Sequence, residues 1–403
     1  MTRNSFAKIG LIFLLIFLSS CCSIFIQKPS PIEEPVLFQL IPETEWPILE
    51  DDLDQQGLEQ AVIQSLNYLN NRSLDKKFVL GSREISNKDI LESLTLFLEI
   101  IKKYPDSNSR LQQFKSNFNL YRTGQNEEPP PLLLTGYYEP TLQGSRTPTP
   151  RFRYPVYRLP DDLLFIELEK FSKKFQGQKL IARIEGNQVI PYYSRQEIDQ
   201  NGRLAGRSLE ILWVDDLIKL FFMHVQGSGQ LLLEDGSLIK LGFQAANGHP
   251  YYAIGRGLIR KGMIKPEEMS LQAIYAYLKD HPEEQAAILN SNPSYIFFQE
   301  LQEGPYGSLG LPLTPGRSVA ADLKIFPPAG LAWLKGWKPV LDDQDQIRFW
   351  IPFGRWVCIQ DSGGAIKGPG RLDLFWGNGE EAKIAASHLR HQGGFYLLLK
   401  KKI

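Results

Sequence analysis

Apolar side chains recur every three or four residues in the first third of the chain and again after residue 265. This spacing puts them on one face of a helix, so it predicts amphipathic helices. The predicted helices cover residues 53–72, 90–101, 110–121, 266–279 and 282–289. Shorter helical segments are predicted over residues 160–175 and 214–220.

Short apolar runs bounded by turn residues make up most of the remaining sequence, and such runs predict β-strands. The predicted strands cover residues 154–158, 180–184, 221–226, 230–233, 318–321, 348–352, 355–360 and 394–399. The 33 glycines and 27 prolines agree with many turns. We therefore expect a mainly β protein with N-terminal helices, whose middle region forms a small β-barrel or sandwich.

The first residues have the pattern of a signal peptide. Two basic residues, Arg3 and Lys8, precede an apolar run over residues 9–18. A run of roughly ten residues is too short to span a bilayer comfortably, which favours removal by a peptidase over a permanent membrane helix. We predict a signal peptide over residues 1–20.

The junction after this segment predicts a lipid anchor. Leu18-Ser19-Ser20-Cys21 is typical of a lipobox, in which the Cys21 thiol becomes a thioether that carries diacylglycerol. Each buried CH₂ group contributes about 0.8 kcal/mol to membrane binding, so two or three acyl chains would anchor the protein stably. Residues 21–50 would then serve as a tether. The alternative is an unmodified Cys21 after an ordinary signal peptide.

Composition and charge narrow the class of protein. Of the 403 residues, 43% are hydrophobic and 22% are charged, which is ordinary for a globular protein of two or three domains. The chain carries 45 basic and 45 acidic residues, and loss of Arg3 and Lys8 would leave 43 against 45. The resulting net charge near −2 argues against nucleic acid as a partner.

Cysteine, histidine and glycine patterns exclude several kinds of site. Cys358 is the only cysteine in the folded body, so no disulfide framework is expected, and its apolar surroundings predict a buried inert thiol. The five histidines lack the spacing of a metal site. No P-loop, dinucleotide-binding or serine hydrolase motif occurs either. We therefore predict neither a metal nor a cofactor.

Three Gly-rich stretches are interleaved with aromatic and polar side chains. They cover residues 135–140, 225–229 and 247–251. Glycine lets the backbone approach a ligand closely, aromatic rings stack on sugar rings, and amide and hydroxyl groups satisfy sugar hydroxyls. The combination suits a carbohydrate ligand. The alternative for each stretch alone is a tight β-turn with buried aromatic residues.

Two carboxylates flank a further Gly-rich segment. Asp361 follows a predicted strand that ends at Gln360, and the chain returns after the turn to place Asp373 before an apolar run. If the two share a cleft, like charge and partial burial would raise the pKa of a carboxyl, as a general acid requires near neutral pH. The alternative is that Lys367 or Arg371 forms plain surface ion pairs with them.

The segment from Asp361 to Trp376 resembles the three-aspartate domain of the membrane-bound lytic murein transglycosylase A family. Residues 316–330 are similar to the earlier part of that domain, which makes Asp322, Asp361 and Asp373 the three aspartates. Other segments resemble the remaining signature blocks of the family in the same order. These segments are residues 134–140, 221–229, 247–257, 292–300 and 306–312.

The resemblance implies a double-psi β-barrel that carries the aspartates, a second β-barrel domain inserted into it, and a substrate groove between the two. The implied division is a helical N-terminal part of domain 1 over residues 51–139, an inserted domain 2 over residues 140–244, and the rest of domain 1 over residues 245–403. Some members have one residue fewer before the last aspartate. Pro369-Gly370 is thus a small insertion, whose effect on Asp373 is open.

By the same resemblance, the chain is expected to be an exo-acting lytic transglycosylase. Such an enzyme cleaves the bond between MurNAc and GlcNAc in peptidoglycan and leaves 1,6-anhydromuramic acid ends. Asp373 is the implied general acid and base, with Asp361 in support. The implied substrate-binding residues are Tyr137, Glu139, Gln226, Ser228, Asn247 and Asp322. The alternatives are a water-using muramidase and a peptidoglycan-binding lipoprotein without catalysis.

The resemblance also implies partners and a location. The implied partners are peptidoglycan glycan strands, the membrane through the lipid anchor, and proteins of cell-wall synthesis or hydrolysis. Cys22, rather than an aspartate, follows the predicted lipidated residue. This is compatible with the outer membrane and a position facing the periplasm.

Overall fold

The computed structural model describes residues 38–80, 83–123 and 132–402. The predicted signal peptide, the predicted lipidation of Cys21 and the first part of the predicted tether lie outside these residues. Within the described ranges, no helix is both long and apolar enough to cross a membrane.

Strands dominate the described chain, which confirms the prediction of a mainly β protein. In chain order they are β1 (Phe38–Ile41), β2 (Lys77–Leu80), β3 (Arg83–Ser86), β4 (Phe118–Thr123), β5 (Leu132–Glu139), β6 (Thr141–Ser145), β7 (Tyr154–Tyr157), β8 (Leu164–Glu167), β9 (Lys179–Glu185), β10 (Gln188–Pro191), β11 (Glu210–Val214), β12 (Ser228–Leu233), β13 (Leu238–Ala246), β14 (Ile296–Leu301), β15 (Ser318–Ala320), β16 (Leu331–Leu341), β17 (Ile347–Asp361), β18 (Arg371–Asn378) and β19 (Arg390–Lys400). The α-helices are α1 (Leu58–Asn70), α2 (Asn87–Lys103), α3 (Ser107–Asn117), α4 (Arg195–Asp199), α5 (Leu217–Gln226), α6 (Ile254–Arg260), α7 (Leu271–Asp280), α8 (Pro282–Asn290) and α9 (Glu380–His388).

Helices α1 to α3 form where the apolar spacing predicts them. α2 begins at a capping box, in which the side chains of Ser86 and Asp89 each accept a hydrogen bond from the backbone N–H of the other. Phe97 of α2 packs against Trp356 of β17, with ring centroids 5.0 Å apart. α3 stops at Asn117, short of the predicted residue 121, because the chain enters β4 at Phe118.

Six strands close into a barrel. Their order is β5-β18-β15-β17-β16-β19, and β19 pairs back to β5, while β4 and β1 extend the sheet from β19. β15 runs parallel to β17, and β18 runs parallel to β5. Trp333, Leu372 and Leu374 are fully buried in the core of this sheet. Cys358 is buried there too, as predicted, and burial raises the pKa of its thiol to about 12, which favours the predicted inert thiol.

A second sheet has the order β14-β13-β12-β6-β11-β7 and its own apolar core. β6 follows β5 directly, so the chain passes from the barrel into this sheet at Pro140. The predicted domain boundary at residue 244 falls inside β13, and β14 pairs with β13. The domain division stays a prediction, and this pairing favours moving the end of the inserted domain to Leu301.

Two smaller sheets and a helical cluster complete the described chain. β8, β9 and β10 form an antiparallel sheet, and β2 pairs with β3. α5, α6, α7 and α8 pack together around Ile218, Leu258, Leu278 and Leu289. This cluster lies in the sequence between β11 and β14, and so it interrupts the strands of the second sheet.

Two predicted elements are wrong. Residues 221–226, predicted as a strand, belong to the largely buried helix α5, and a short continuous apolar run of this kind fits a buried strand and a buried helix equally well. Residues 160–175, predicted as helical, contain β8 and two short 3₁₀ turns. Here Phe165 and its neighbours pair with β9, and this pairing outweighs a weak local helical preference.

Candidate active site

Asp361 and Asp373 lie in one row across neighbouring strands of the barrel. Ala320 on β15 pairs with Asp361 on β17 and with Asp373 on β18. Asp373 pairs in turn with Thr135 on β5. We call these four residues the aspartate row. Because adjacent strands lie about 4.8 Å apart, the backbones of the two aspartates are separated by about 10 Å.

Strand alternation turns Asp373 away from the barrel core. Its neighbours Leu372 and Leu374 are fully buried in that core, so Asp373 points to the opposite face of β18. There its Oδ1 accepts a hydrogen bond from the hydroxyl of Thr135 at 2.9 Å. The same hydroxyl lies 3.3 Å from the carbonyl oxygen of Leu372. Thr135 therefore fixes the position of the Asp373 carboxyl.

The pKa of Asp373 is raised to about 7. Burial is the main cause, and the nearby charge of Asp361 adds to it. The hydrogen bond from Thr135 and the charge of Arg371 act in the opposite direction. A carboxyl with this pKa is present in both its protonated and its ionised form near neutral pH, which is the property that a general acid and base requires.

Asp361 is held by three hydrogen-bond donors. Its Oδ2 accepts a hydrogen bond from the Tyr137 hydroxyl at 2.8 Å. Its Oδ1 accepts from the backbone N–H groups of Ser308 at 2.7 Å and Ser362 at 2.8 Å. Burial raises the pKa of Asp361, and these hydrogen bonds offset part of that effect. The donors fix the orientation of this carboxyl more tightly than that of Asp373.

Tyr137 donates a hydrogen bond to Asp361 and lies near the charge of Asp373. It lies two residues after Thr135 on β5, so both side chains are on the same face of the strand. Its ring packs against Phe375 with centroids 5.2 Å apart. Burial and the charges of Asp361 and Asp373 raise the pKa of Tyr137 well above its ordinary value. Tyr137 therefore keeps its proton and acts as a hydrogen-bond donor.

The predicted alternative of plain surface ion pairs is wrong. In the part of the chain that the structure describes, neither Lys367 nor Arg371 lies within ion-pair distance of Asp361 or Asp373. Lys367 is exposed. Arg371 lies on the same face of β18 as Asp373, two residues before it, and acts on it only through its charge.

Glu139 and Gln226 lie where the barrel joins the second sheet. Glu139 is buried, and its Oε2 accepts a hydrogen bond from Gln230 Nε2 at 2.6 Å. Burial raises its pKa, and the bond from Gln230 offsets part of the shift. The Oε1 of Gln226 accepts a hydrogen bond from the backbone N–H of Tyr138 at 3.1 Å. These contacts support the junction itself.

A cavity of about 570 Å³ opens beside the aspartate row. Thr135 contributes to its wall, together with the segment at residues 266–270 and the segment at residues 386–390, where α9 ends and β19 begins. Sequence patterns did not predict this cavity, because its walls come from three segments that are far apart in the chain.

Comparisons with known families match both halves of this arrangement. A family model described as the MltA specific insert domain matches residues 133–299. A model of the 3D domain matches residues 317–399, which include β15 to β18, all but the last residue of β19 and both aspartates of the site.

Solved structures and known sequences agree with these matches. The crystal structure of the membrane-bound lytic murein transglycosylase from Agrobacterium tumefaciens is 32% identical, with a TM-score of 0.74, and the match covers 90% of this chain and 97% of that one. The chain belongs to the membrane-bound lytic murein transglycosylase A family. The structure of MltA from Neisseria gonorrhoeae is 28% identical, covers 90% of this chain and 91% of that one, and has a TM-score of 0.66.

Membrane-bound lytic murein transglycosylase A of Vibrio cholerae is 32% identical over 278 residues. The aligned part is 66% of this chain and 65% of that relative, or just under two thirds of its length. The likeness to MltA structures confirms the expected fold, a double-psi β-barrel with an inserted domain.

Asp322, the first of the three aspartates in the family pattern, supports a loop. Its Oδ1 accepts the backbone N–H of Lys324 at 3.1 Å, and its Oδ2 accepts that of Gly368 at 2.9 Å. Beyond Gly368, the N–H of Leu133 donates to the carbonyl of Gly370 at 2.9 Å. The loop with the predicted Pro369-Gly370 insertion is therefore tied down on both sides. These contacts favour a structural role for Asp322 over the predicted contact with substrate.

Asn247 is fully buried and its amide is satisfied by backbone groups. Nδ2 donates to the carbonyls of Tyr193 at 2.8 Å and Pro293 at 2.9 Å, and Oδ1 accepts the N–H of Tyr295 at 2.9 Å. This arrangement favours a structural role over the predicted substrate contact. Ser228 is also largely buried, at the start of β12.

Sequence reasoning missed Thr135 and Ser308, both of which hold an aspartate of this MltA-family site. Each lies inside a segment that resembles the family, so the segments themselves were found. Their contacts with Asp373 and Asp361 depend on which strands and loops are neighbours in the barrel. Hydrophobic periodicity predicts the faces of a strand but not its neighbours.

Proposed function

We propose that this chain is a lytic transglycosylase that cleaves the β-1,4 bond between MurNAc and GlcNAc in peptidoglycan, acting from strand ends. The product would carry a 1,6-anhydromuramic acid end. Membership of the MltA family supports the reaction class. The observation that carries the proposal is Asp373, a carboxyl on the outer face of the barrel with a pKa raised to about 7.

The proposed reaction needs one acid and base. Protonated Asp373 donates its proton to the glycosidic oxygen as the bond from that oxygen to C1 of MurNAc breaks and positive charge develops on the ring. The C6 hydroxyl of the same MurNAc then attacks C1 and gives its proton back to Asp373. A nucleophile within the substrate acts at high effective concentration, so no water molecule is consumed.

Asp361 is proposed as a support for Asp373 rather than as a second catalytic group. A hydrolase commonly uses a second carboxylate to activate water or to attack the sugar. Both oxygens of Asp361 already accept hydrogen bonds, from Tyr137, Ser308 and Ser362. Its nearby charge contributes to the raised pKa of Asp373. These contacts favour the transglycosylase over the water-using muramidase.

The contacts of the remaining predicted site residues separate them into proposed substrate contacts and residues that shape the groove. Tyr137 and Ser228 stay proposed substrate contacts. Glu139, Gln226, Asn247 and Asp322 were predicted as such contacts too, but their hydrogen bonds to protein groups support a role in shaping the groove.

The location and partners are likewise proposals. A lipid on Cys21 would anchor the enzyme in the outer membrane, where the folded body would face the periplasm and reach the glycan strands. Proteins of cell-wall synthesis or hydrolysis are proposed as partners, because uncontrolled cleavage would weaken the wall.

Digestion of purified murein sacculi in H₂¹⁸O tests the proposed reaction. Mass spectrometry should find anhydromuramic ends without ¹⁸O from the wild-type protein, and no such ends from D373N. Reducing ends that contain ¹⁸O would instead establish a muramidase. Binding to sacculi without any cleavage by the wild type would establish a binding protein.

A further inference from the structure

Three arginines on the strands that form the aspartate row, or next to them, differ in their partners. Arg317, just before β15, forms a two-bond pair with Asp51, with N–O distances of 2.6 and 2.8 Å. Arg355 on β17 forms a similar pair with Asp52, at 2.8 and 2.7 Å. We call these four residues the arginine cluster. Arg371 on β18 has no comparable carboxylate within the described ranges of the chain.

The guanidinium of Arg371 has no hydrogen bond or ion pair with the described residues. It is partly buried, and its Nε is enclosed without any hydrogen bond from the described residues. Burying an unsatisfied charged donor is costly, so such a group is usually paired. A planar guanidinium matches a carboxylate with two parallel hydrogen bonds. The missing partner is therefore best supplied by an anionic ligand.

The position of Arg371 directs that ligand to the reacting bond. Arg371 and Asp373 lie on one face of β18, about 7 Å apart along the strand. The charge of Arg371 acts on Asp373, and it also acts on Tyr251, a 40% exposed residue in the segment that follows β13. Arg371 therefore lies near both Asp373 on its own strand and the segment that joins β13 to β14 of the second sheet.

We propose that Arg371 binds a carboxylate carried by the muramyl residue whose glycosidic bond Asp373 protonates. This inference rests on the proposed function, since it takes peptidoglycan as the substrate. The carboxylate has two sources. A muramyl residue without a peptide stem carries a free lactyl carboxylate, whereas an attached stem converts that group to an amide but brings carboxylates of its own.

Binding measurements in the D373N background separate these sources, because D373N cannot cleave the ligand. The ligands are chitohexaose, which carries no carboxylate, a stem-free GlcNAc-MurNAc tetrasaccharide, and the same tetrasaccharide with stems. Titration calorimetry should show that R371M weakens binding of at least one muramyl ligand by about ten-fold to a hundred-fold. Binding of chitohexaose should change less than about two-fold.

The pattern of losses decides the proposal. A loss confined to the stem-free ligand identifies the lactyl carboxylate, and a loss confined to the stem-bearing ligand identifies a carboxylate of the stem. Equal losses for all three ligands, or no loss for any, would overturn the proposal. The proposed function is tested separately by the products of the wild type, so either idea can fail without the other.

R371K provides a matched control in the active enzyme. Lysine keeps the positive charge but cannot form the two parallel bonds of a guanidinium. We expect R371K to keep the pH profile of the wild type while KM for the muramyl ligand rises. R371M should raise KM and also move the alkaline limb of kcat/KM to higher pH, because the charge that lowers the pKa of Asp373 is gone. A KM for R371K equal to that of the wild type would contradict carboxylate binding.

Discussion

The carboxylates of the arginine cluster and those of the aspartate row have opposite kinds of partner, although both regions belong to the same barrel. In the arginine cluster, each carboxylate meets a guanidinium through two hydrogen bonds, and Lys338 adds a further bond to Asp52 at 2.8 Å. The aspartate row lies about 20 Å further along β17, counted from Arg355 to Asp361. There the carboxylates have only neutral hydrogen-bond donors as close partners.

This difference appears in the pKa values of the two regions. Burial tends to raise the pKa of Asp51, but the hydrogen bonds and the charge of Arg317 outweigh it, and the pKa lies below its ordinary value. For Asp373 burial prevails, and the pKa rises to about 7. The same barrel thus uses paired charges for stability and leaves one carboxyl unpaired where a proton must be exchanged.

The largest expected effect is the loss of activity on removing the titrating group. D373N should reduce kcat/KM on murein by about 100-fold to 10,000-fold, because Asn cannot donate and recover a proton. Release of anhydromuropeptides, followed by liquid chromatography, measures this. The matched control is D343N, since Asp343 is an exposed aspartate in the turn between β16 and β17. Equal activity of D373N and D343N would remove Asp373 from the catalytic role.

An Asp-to-Asn substitution in the arginine cluster should lower the stability of the fold rather than remove a catalytic group. D51N leaves the fully buried Arg317 without its anionic partner. Breaking a buried pair in this way costs about 3–5 kcal/mol of unfolding free energy. Urea denaturation at pH 7 measures this, with D343N again as control. A loss below about 1 kcal/mol would show that the arginine cluster does not hold the barrel together.

Neutralising Asp373 should have the opposite effect on stability. Its folded-state pKa of about 7 lies above the unfolded value, so the folded state binds the proton more tightly. The unfolding free energy of the wild type therefore falls as the pH rises from about 4 to 7. D373N has no carboxyl at this position, so its unfolding free energy should not fall for this reason. At pH 8 we expect D373N to be more stable than the wild type by about 1–4 kcal/mol, with no such gain at pH 4. A difference that does not depend on pH would contradict the raised pKa.

The smallest expected effect comes from Thr135. T135V removes the hydroxyl that donates to Asp373, and this hydrogen bond lowers the pKa of that carboxyl. The pKa should therefore rise, and the alkaline limb of kcat/KM should move up by about 0.5–1 pH unit. T135S keeps the hydroxyl and should keep the wild-type profile. A shift to lower pH in T135V would contradict the assigned direction of the bond.

Local hydrophobic patterns correctly predicted the helices that bury one face and expose the other. α1 and α2 bury one face against the barrel, so their apolar spacing is visible in the sequence. α5 is buried on most sides; its first residues, 217–220, were predicted as helical, but the apolar run over residues 221–226 was taken for a strand. Asp216 caps α5 through the N–H groups of Ile218 and Lys219, and this cap was the available signal for a helix.

Local sequence patterns predicted only part of the candidate active site as well. Asp361 and Asp373 were recognised because a Gly-rich turn joins them in sequence and because the segment resembles a known family. Thr135 contacts Asp373 from a strand more than two hundred residues earlier. Asn247 looked like a sugar ligand, yet its amide holds three backbone segments together. Such contacts follow from strand order, which no local pattern contains.

The central claim is that the barrel holds the Asp373 carboxyl partly protonated at neutral pH. Carbon-13 NMR of protein labelled at aspartate carboxyls, compared with D373N to assign the signal, measures its pKa directly. The account predicts that the Asp373 signal titrates near pH 7. Titration near pH 4, as for an ordinary aspartate, would contradict it.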